Sequence, residues 1–100
     1  MKLGILVNTD RHLQHIIGLT RAAVSKGHEV SLFTMDAGTR LLGNPAYTDL
    51  CKLAGVAMSV CEHSAKGHDA QTAGLPKEIV FGSQYHNAVM VHGADRVIVV

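Results

Sequence analysis

The chain has 100 residues, of which 47% are hydrophobic, and its formal net charge is +1 at pH 7. Its charges are spread along the sequence without a basic stripe for nucleic acid, and two Tyr and two Phe provide no surface for stacking bases. No apolar run approaches the ~20 residues that cross a bilayer, and the N-terminus lacks the features of a secretory signal. We therefore expect one domain over residues 1–100 that is cytoplasmic and binds neither nucleic acid nor membrane.

Strand and helix patterns alternate in the first third of the chain. Residues 3–7 form a short, continuous apolar run, which predicts a strand buried on both faces. A polar turn follows at residues 8–10, and apolar residues at helical spacing then predict a helix over about 11–26 that ends at Gly27. The β-branched and large apolar residues of 30–35 predict the second strand.

The middle of the chain repeats the alternation. A short helical turn is expected over residues 39–43. Asn44 is placed to cap a second helix that begins at Pro45, carries an apolar stripe and ends at Gly55. Residues 56–61 predict the third strand.

The last part of the chain begins with its longest irregular segment, which is expected over residues 62–76. Long loops in compact domains are usually either functional or disordered. Ser83 is placed to cap a final helix that ends at Gly93, and residues 96–100 predict the closing strand. The whole pattern indicates an α/β fold with a mainly parallel sheet and right-handed crossovers, without specifying the strand order.

Cys61 stands where the apolar third strand meets a polar segment. The carboxyl end of a parallel strand faces the crevice where open α/β sheets bind ligands, and a helical turn beginning there would favour the thiolate. His63, Lys66 and His68 follow closely and can supply positive charge near a substrate, although acidic neighbours oppose them. The alternative interpretation of Cys61 is a small, buried hydrophobic residue at a strand end.

The other cysteine and the histidines suggest structural roles. Cys51 lies in the apolar stripe of the second helix, which favours a core position. A Cys51–Cys61 disulfide is not expected, because helix and strand layers hold the two Cα atoms farther apart than the ~7 Å limit. Seven histidines match no zinc spacing, and no phosphate-binding glycine motif follows the first strand. We therefore expect neither a metal nor a nucleotide cofactor.

Several segments resemble those of the DsrE/DsrF-like proteins, which include the sulfur-relay subunits of bacterial tRNA thiolation. The resemblance covers nearly the whole chain and is carried by the opening strand and by residues 26–30 (KGHEV), 33–38 (FTMDAG), 55–61 (GVAMSVC) and 94–99 (ADRVIV). It implies a three-layer α/β/α sandwich with a mainly parallel sheet of four or five strands. It also implies that Cys61 carries sulfur as a persulfide and that the chain forms dimers, trimers or hexamers.

The sequence therefore predicts a small sulfur carrier or sulfurtransferase that exchanges sulfur with a donor or acceptor protein. A persulfide carrier needs a polarised, accessible thiol but neither a metal nor a second cysteine in the same chain. The small size and high apolar content independently favour a homo-oligomer. The main alternative is a chemically silent subunit with the same fold. A receiver-like signalling domain would require an aspartate where this chain has Cys61.

Overall fold

A single sheet of five parallel strands forms the centre of the computed structural model, which describes residues 1–100. The strands are β1 (Lys2–Val7), β2 (Glu29–Thr34), β3 (Val56–Cys61), β4 (Ile79–Gly82) and β5 (Arg96–Val99). Their order across the sheet is β4-β3-β2-β1-β5. Every neighbouring pair is parallel, so the predicted α/β class is confirmed.

Four α-helices and two 3₁₀ segments connect the strands. The helices are α1 (Leu13–Ser25), α2 (Pro45–Thr48), α3 (Glu62–Gly67) and α4 (Gln84–Gly93), and the 3₁₀ segments are Asp36–Gly43 and Asp49–Lys52. None of these helices is long and apolar enough to span a membrane.

The predicted second helix is interrupted. The Asn44 side chain caps α2 as expected, accepting a hydrogen bond from the Ala46 N–H at 2.9 Å, but α2 has only four residues before a 3₁₀ segment continues it. The inward-facing residues Tyr47, Leu50 and Leu53 are spaced by three, which suits the three residues per turn of a 3₁₀ helix. The apolar stripe was therefore real, but a uniform helix was the wrong prediction.

Two elements lie where the sequence predicted none. α3 occupies the start of the segment expected to be irregular, and β4 follows that segment as a short edge strand. β4 has only four residues, and Val80 and Phe81 on its opposite faces are both exposed, so its local pattern is weak; pairing with β3 over Met58–Cys61 defines it. The irregular segment is therefore confined to residues 68–78.

The two faces of the sheet are covered unequally. We call the face that packs against α1, α2, α3 and the 3₁₀ segments the broad face; its core cluster contains 15 buried residues. The opposite face, here the α4 face, has a cluster of three, Phe33, Cys61 and Met90. Helices on both faces give the three-layer sandwich that the resemblance implied.

α4 approaches the sheet closely over β1. A Cβ atom on Gly4 would lie 3.3 Å from the side chains of both Met90 and Ala94, so the glycine allows this close packing. A single helix of ten residues does not cover five strands. The outer strands therefore leave Val80 and Val99 exposed on the α4 face, at 48% and 61% of their surface.

Candidate active site

Cys61 is the last residue of β3, and β3 lies between β2 and β4. Side chains alternate along the strand, so Met58 and Val60 enter the broad-face core while Cys61 points to the α4 face. There it packs with Phe33 and Met90. The sequence correctly placed this cysteine at the carboxyl end of a parallel strand.

A cleft of about 660 Å³ opens above Cys61 at the carboxyl edge of the sheet. It is lined by Met35, Asp36, Cys61, Glu62, His63, Ser64, Lys66, Gly82, Ser83 and Gln84. These residues come from the ends of β2, β3 and β4 and from the starts of the segments that follow them. Open parallel sheets commonly bind ligands at this edge.

The turn after β2 forms one wall of the cleft. The Met35 N–H donates to the Val7 carbonyl at 2.9 Å, which ties this turn to the end of β1. Gly38 packs directly on the same carbonyl, and a Cβ atom there would overlap it. Asp36 adopts a left-handed backbone conformation, with φ 49°. The tight turn therefore holds Met35 and Asp36 in the wall of the cleft.

Burial and the neighbouring polar groups act on the pKa of Cys61 in opposite directions. Only 4% of the residue is exposed, and burial by itself raises the pKa of its thiol. The hydroxyl and N–H of Ser64, the side chain of Gln84 and the N–H of His63 favour the thiolate, and together they hold the pKa below its ordinary value. Cys61 is also the N-cap of α3, where backbone N–H groups lack helical partners.

The predicted substrate-binding residues separate into two groups. His63 and Lys66 are exposed and line the cleft, whereas His68 follows the end of α3 and does not line it. The Lys66 ammonium lies 3.9 Å from the Glu62 carboxylate, so its charge is partly balanced. The groups that lower the pKa of Cys61 are uncharged N–H and O–H donors, not the basic side chains that the sequence emphasised.

Sequence reasoning missed Ser64, Gln84 and Met35 as members of the site. Ser64 belongs to the short helix α3, and Gln84 follows the edge strand β4, neither of which was predicted. Ser83 was predicted as a helix cap, and its Oγ does accept a hydrogen bond from the Tyr85 N–H at 3.2 Å. Recognising residues 79–82 as a strand would have placed Gln84 at the same sheet edge as Cys61.

The start of α4 is held in place next to Cys61. Gly82 pairs with Cys61 in the sheet, and a Cβ atom on Gly82 would overlap the His86 ring. The absence of a side chain at Gly82 lets His86 fold back, where its Nδ1 accepts a hydrogen bond from the Ser83 N–H at 3.3 Å. This capping arrangement positions the first turn of α4, including Gln84.

Cys51 and the histidines contrast with this site. Cys51 lies in the broad-face core, and burial is the main cause that raises the pKa of its thiol. Both cysteines are free. No three His, Cys, Asp or Glu residues come together in a group that could hold a metal ion.

Comparisons with known proteins identify the fold. No family profile and no curated protein sequence matches the chain. Among solved structures, a protein of unknown function from Methanobacterium thermoautotrophicum, MTH1491, is 13% identical with a TM-score of 0.77 and matches 99% of this chain and 98% of its own. The ychN protein from E. coli is 16% identical with a TM-score of 0.67, and the match covers 99% of this chain and 97% of the ychN chain. Both neighbours are DsrE/DsrF-like, so the chain has the DsrE/DsrF-like α/β fold.

Proposed function

We propose that this protein is a small sulfur carrier that accepts sulfur as a persulfide on Cys61 and passes it to the thiol of a partner protein. One observation carries the proposal: a cysteine at the carboxyl end of a parallel strand faces a cleft, and the polar groups of Ser64, His63 and Gln84 lower the pKa of its thiol. Thiolate character governs attack on a sulfur donor. The DsrE/DsrF-like fold supports the same assignment through the resemblance in the sequence.

The proposed transfer needs no external oxidant or cofactor. The Cys61 thiolate attacks the outer sulfur of a donor persulfide, R–S–SH, forming a new S–S bond at Cys61. The donor S–S bond breaks, and R–S⁻ leaves with the electron pair. An acceptor thiolate then attacks the outer sulfur of the Cys61 persulfide and releases the Cys61 thiolate. Each step is an exchange at sulfur of the thiol–disulfide type.

The mouth of the cleft provides contacts for the donor. His63 and Lys66 are exposed there and are the residues that we assign to substrate binding. His68 does not line the cleft, and we assign it no contact with the substrate. Cys61 itself is deeply placed, so a donor has to present its sulfur on a narrow, protruding group.

Self-association is part of the proposal, because the α4 face is incompletely covered. Exposed apolar side chains lie on β4, β5 and α4; they are Val80, Val97, Val99, Tyr85 and Val89. Parallel sheets are usually covered by helices on both faces, and a second copy can supply the missing cover here. Sedimentation at micromolar concentration is expected to show a dimer or larger assembly that Val89→Glu dissociates. Leu19→Glu, a matched change on α1, should leave the assembly intact; a monomeric wild-type protein would contradict the proposal.

The decisive test of function is sulfur loading. Wild-type protein, Cys51→Ser and Cys61→Ser are treated with a low-molecular-weight persulfide and analysed by intact mass and peptide mapping. We expect one added sulfur atom on Cys61 in wild type and in Cys51→Ser, and none in Cys61→Ser. Loss of the label to an added thiol would demonstrate onward transfer. Absence of loading with every donor tried would favour the chemically silent subunit.

A further inference from the structure

Asn87 presents an unexplained polar group on α4. Asn87 is half-buried, and its side-chain Oδ1 is shielded from solvent and has no hydrogen-bond partner. An unpaired buried carbonyl oxygen destabilises a protein, and such exceptions in folded proteins call for a reason. An apolar side chain of similar size would avoid this cost at the same position.

The reason lies in the other end of the same amide. Asn87 Nδ2 donates a hydrogen bond to Gln84 Oε1 at 3.2 Å, one helical turn earlier. A glutamine amide has an acceptor oxygen on one side and two N–H donors on the other. Because Asn87 engages the oxygen, the N–H groups of Gln84 are directed the opposite way.

The N–H side of Gln84 faces sulfur. Gln84 Nε2 lies 3.6 Å from Met35 Sδ, and its side chain also favours the Cys61 thiolate. Met35, Cys61 and Gln84 all line the same cleft. A thioether is a weak, neutral acceptor, whereas hydrogen bonds to ionised acceptors are roughly twice as strong as neutral ones. An anionic sulfur in the cleft would therefore compete well with Met35 for this donor.

We propose that Asn87 is a positioning residue that orients the Gln84 amide, and that Gln84 in turn donates to the anionic sulfur at Cys61, first the thiolate and then the terminal sulfur of its persulfide. The persulfide part of this inference rests on the proposed function. The thiolate part rests on the hydrogen bonds that join Asn87, Gln84 and Met35 and on the cleft that Gln84, Met35 and Cys61 line together. In the reversed orientation, Gln84 would present its oxygen to a negative sulfur and repel it.

The test compares the ionisation of Cys61 in a Cys51→Ser background, followed by ultraviolet thiolate absorbance and by alkylation rate against pH. Asn87→Leu and Gln84→Met are expected to move both midpoints to higher pH and to lower the thiolate fraction below the midpoint by about ten-fold. Asn87→Leu should at the same time leave the thermal unfolding midpoint unchanged or raise it. Gln14→Met is the control, because it makes the same glutamine change at an exposed position of α1. It should move neither midpoint of Cys61 ionisation.

The opposite result is equally clear. An unchanged midpoint of Cys61 ionisation in Asn87→Leu, accompanied by lower thermal stability, would make Asn87 purely structural and overturn the inference. Asn87→Ala provides the same comparison if the leucine variant does not fold. If the variants shift the midpoint but wild-type Cys61 never accepts sulfur, the orientation of Gln84 stands and the sulfur-carrier function fails. If the variants keep the wild-type midpoint and wild-type Cys61 accepts sulfur normally, the sulfur-carrier function stands and the proposed orientation of Gln84 fails.

Discussion

Cys51 and Cys61 are almost equally hidden from solvent, with 7% and 4% of their surface exposed, yet the pKa values of their thiols move in opposite directions. Cys51 packs in the broad-face core, where burial and the nearby charge of Glu78 oppose the thiolate. Cys61 lies at a strand end among hydrogen-bond donors. Exposure alone therefore does not distinguish the two thiols; the groups around each sulfur do.

The two faces of the sheet explain this contrast. The broad face is closed by several helical segments, so Cys51 is surrounded by side chains that complete a core. The α4 face has one helix, and the cleft at Cys61 opens beside the start of that helix, at Ser83 and Gln84. Cys61 therefore lines a cleft that a reagent or donor can enter, whereas Cys51 packs within the core cluster.

The largest expected effect is a difference in chemical reactivity. In the folded protein, Cys61 should react with a small alkylating reagent on the order of 100-fold faster than Cys51, because it combines thiolate character with access from the cleft. Timed labelling followed by peptide mapping measures both rates. In denaturant the two rates should converge; comparable rates in the native protein would remove the distinction between the two sites.

The second expected effect concerns the free energy of unfolding. Cys51→Ser places a hydroxyl in the apolar core and should lower the stability by about 1–3 kcal/mol. Cys61→Ser should cost less, since the donors around Cys61 can bind the serine oxygen. Urea unfolding of the two variants under identical conditions gives the comparison. A larger loss for Cys61→Ser would indicate that its role in packing outweighs its role in the cleft.

Ser64→Ala tests the donors directly. Removing the Ser64 hydroxyl should raise the pKa of Cys61 and slow its alkylation at neutral pH by up to about ten-fold. Ser25→Ala is a suitable control, because the Ser25 hydroxyl donates to the Ala22 carbonyl on α1, at 2.9 Å, away from the cleft. The alkylation profile against pH distinguishes the variants. An unaltered profile in Ser64→Ala would leave the backbone N–H groups and Gln84 as the source of the lowered pKa.

The smallest effect is a pH dependence of stability with opposite signs for the two thiols. The pKa of Cys61 is lower in the folded protein than in the unfolded chain. Its contribution to the free energy of unfolding is therefore complete above the pKa of the unfolded chain and is lost as the pH falls through the pKa of the folded protein. The folded pKa of Cys51 is raised, so stability decreases as the pH rises above its unfolded pKa. The free energies of unfolding of Cys61→Ser and Cys51→Ser, each measured relative to a variant that carries both serines, should change with opposite slopes across the alkaline range. Parallel curves would show that the two environments are electrostatically alike.

The sequence alone determined the main alternation of strands and helices and the position of Cys61 at the end of β3. These features depend on local hydrophobic periodicity, which a short window of residues contains. For the same reason, the apolar stripe around Cys51 indicated a core position correctly. β4 was missed because its four residues form a short edge strand whose identity depends on pairing with β3.

Only the tertiary structure decided which groups surround Cys61. The strand order places β4 next to β3, and the pairing of Cys61 with Gly82 brings the start of α4 to the same edge. Gln84 is thereby brought beside a cysteine 23 positions earlier in the chain, whereas His68, only seven positions later, does not line the cleft. Spacing along the sequence cannot predict such proximity, because it arises from the register and order of strands that are joined through long connections.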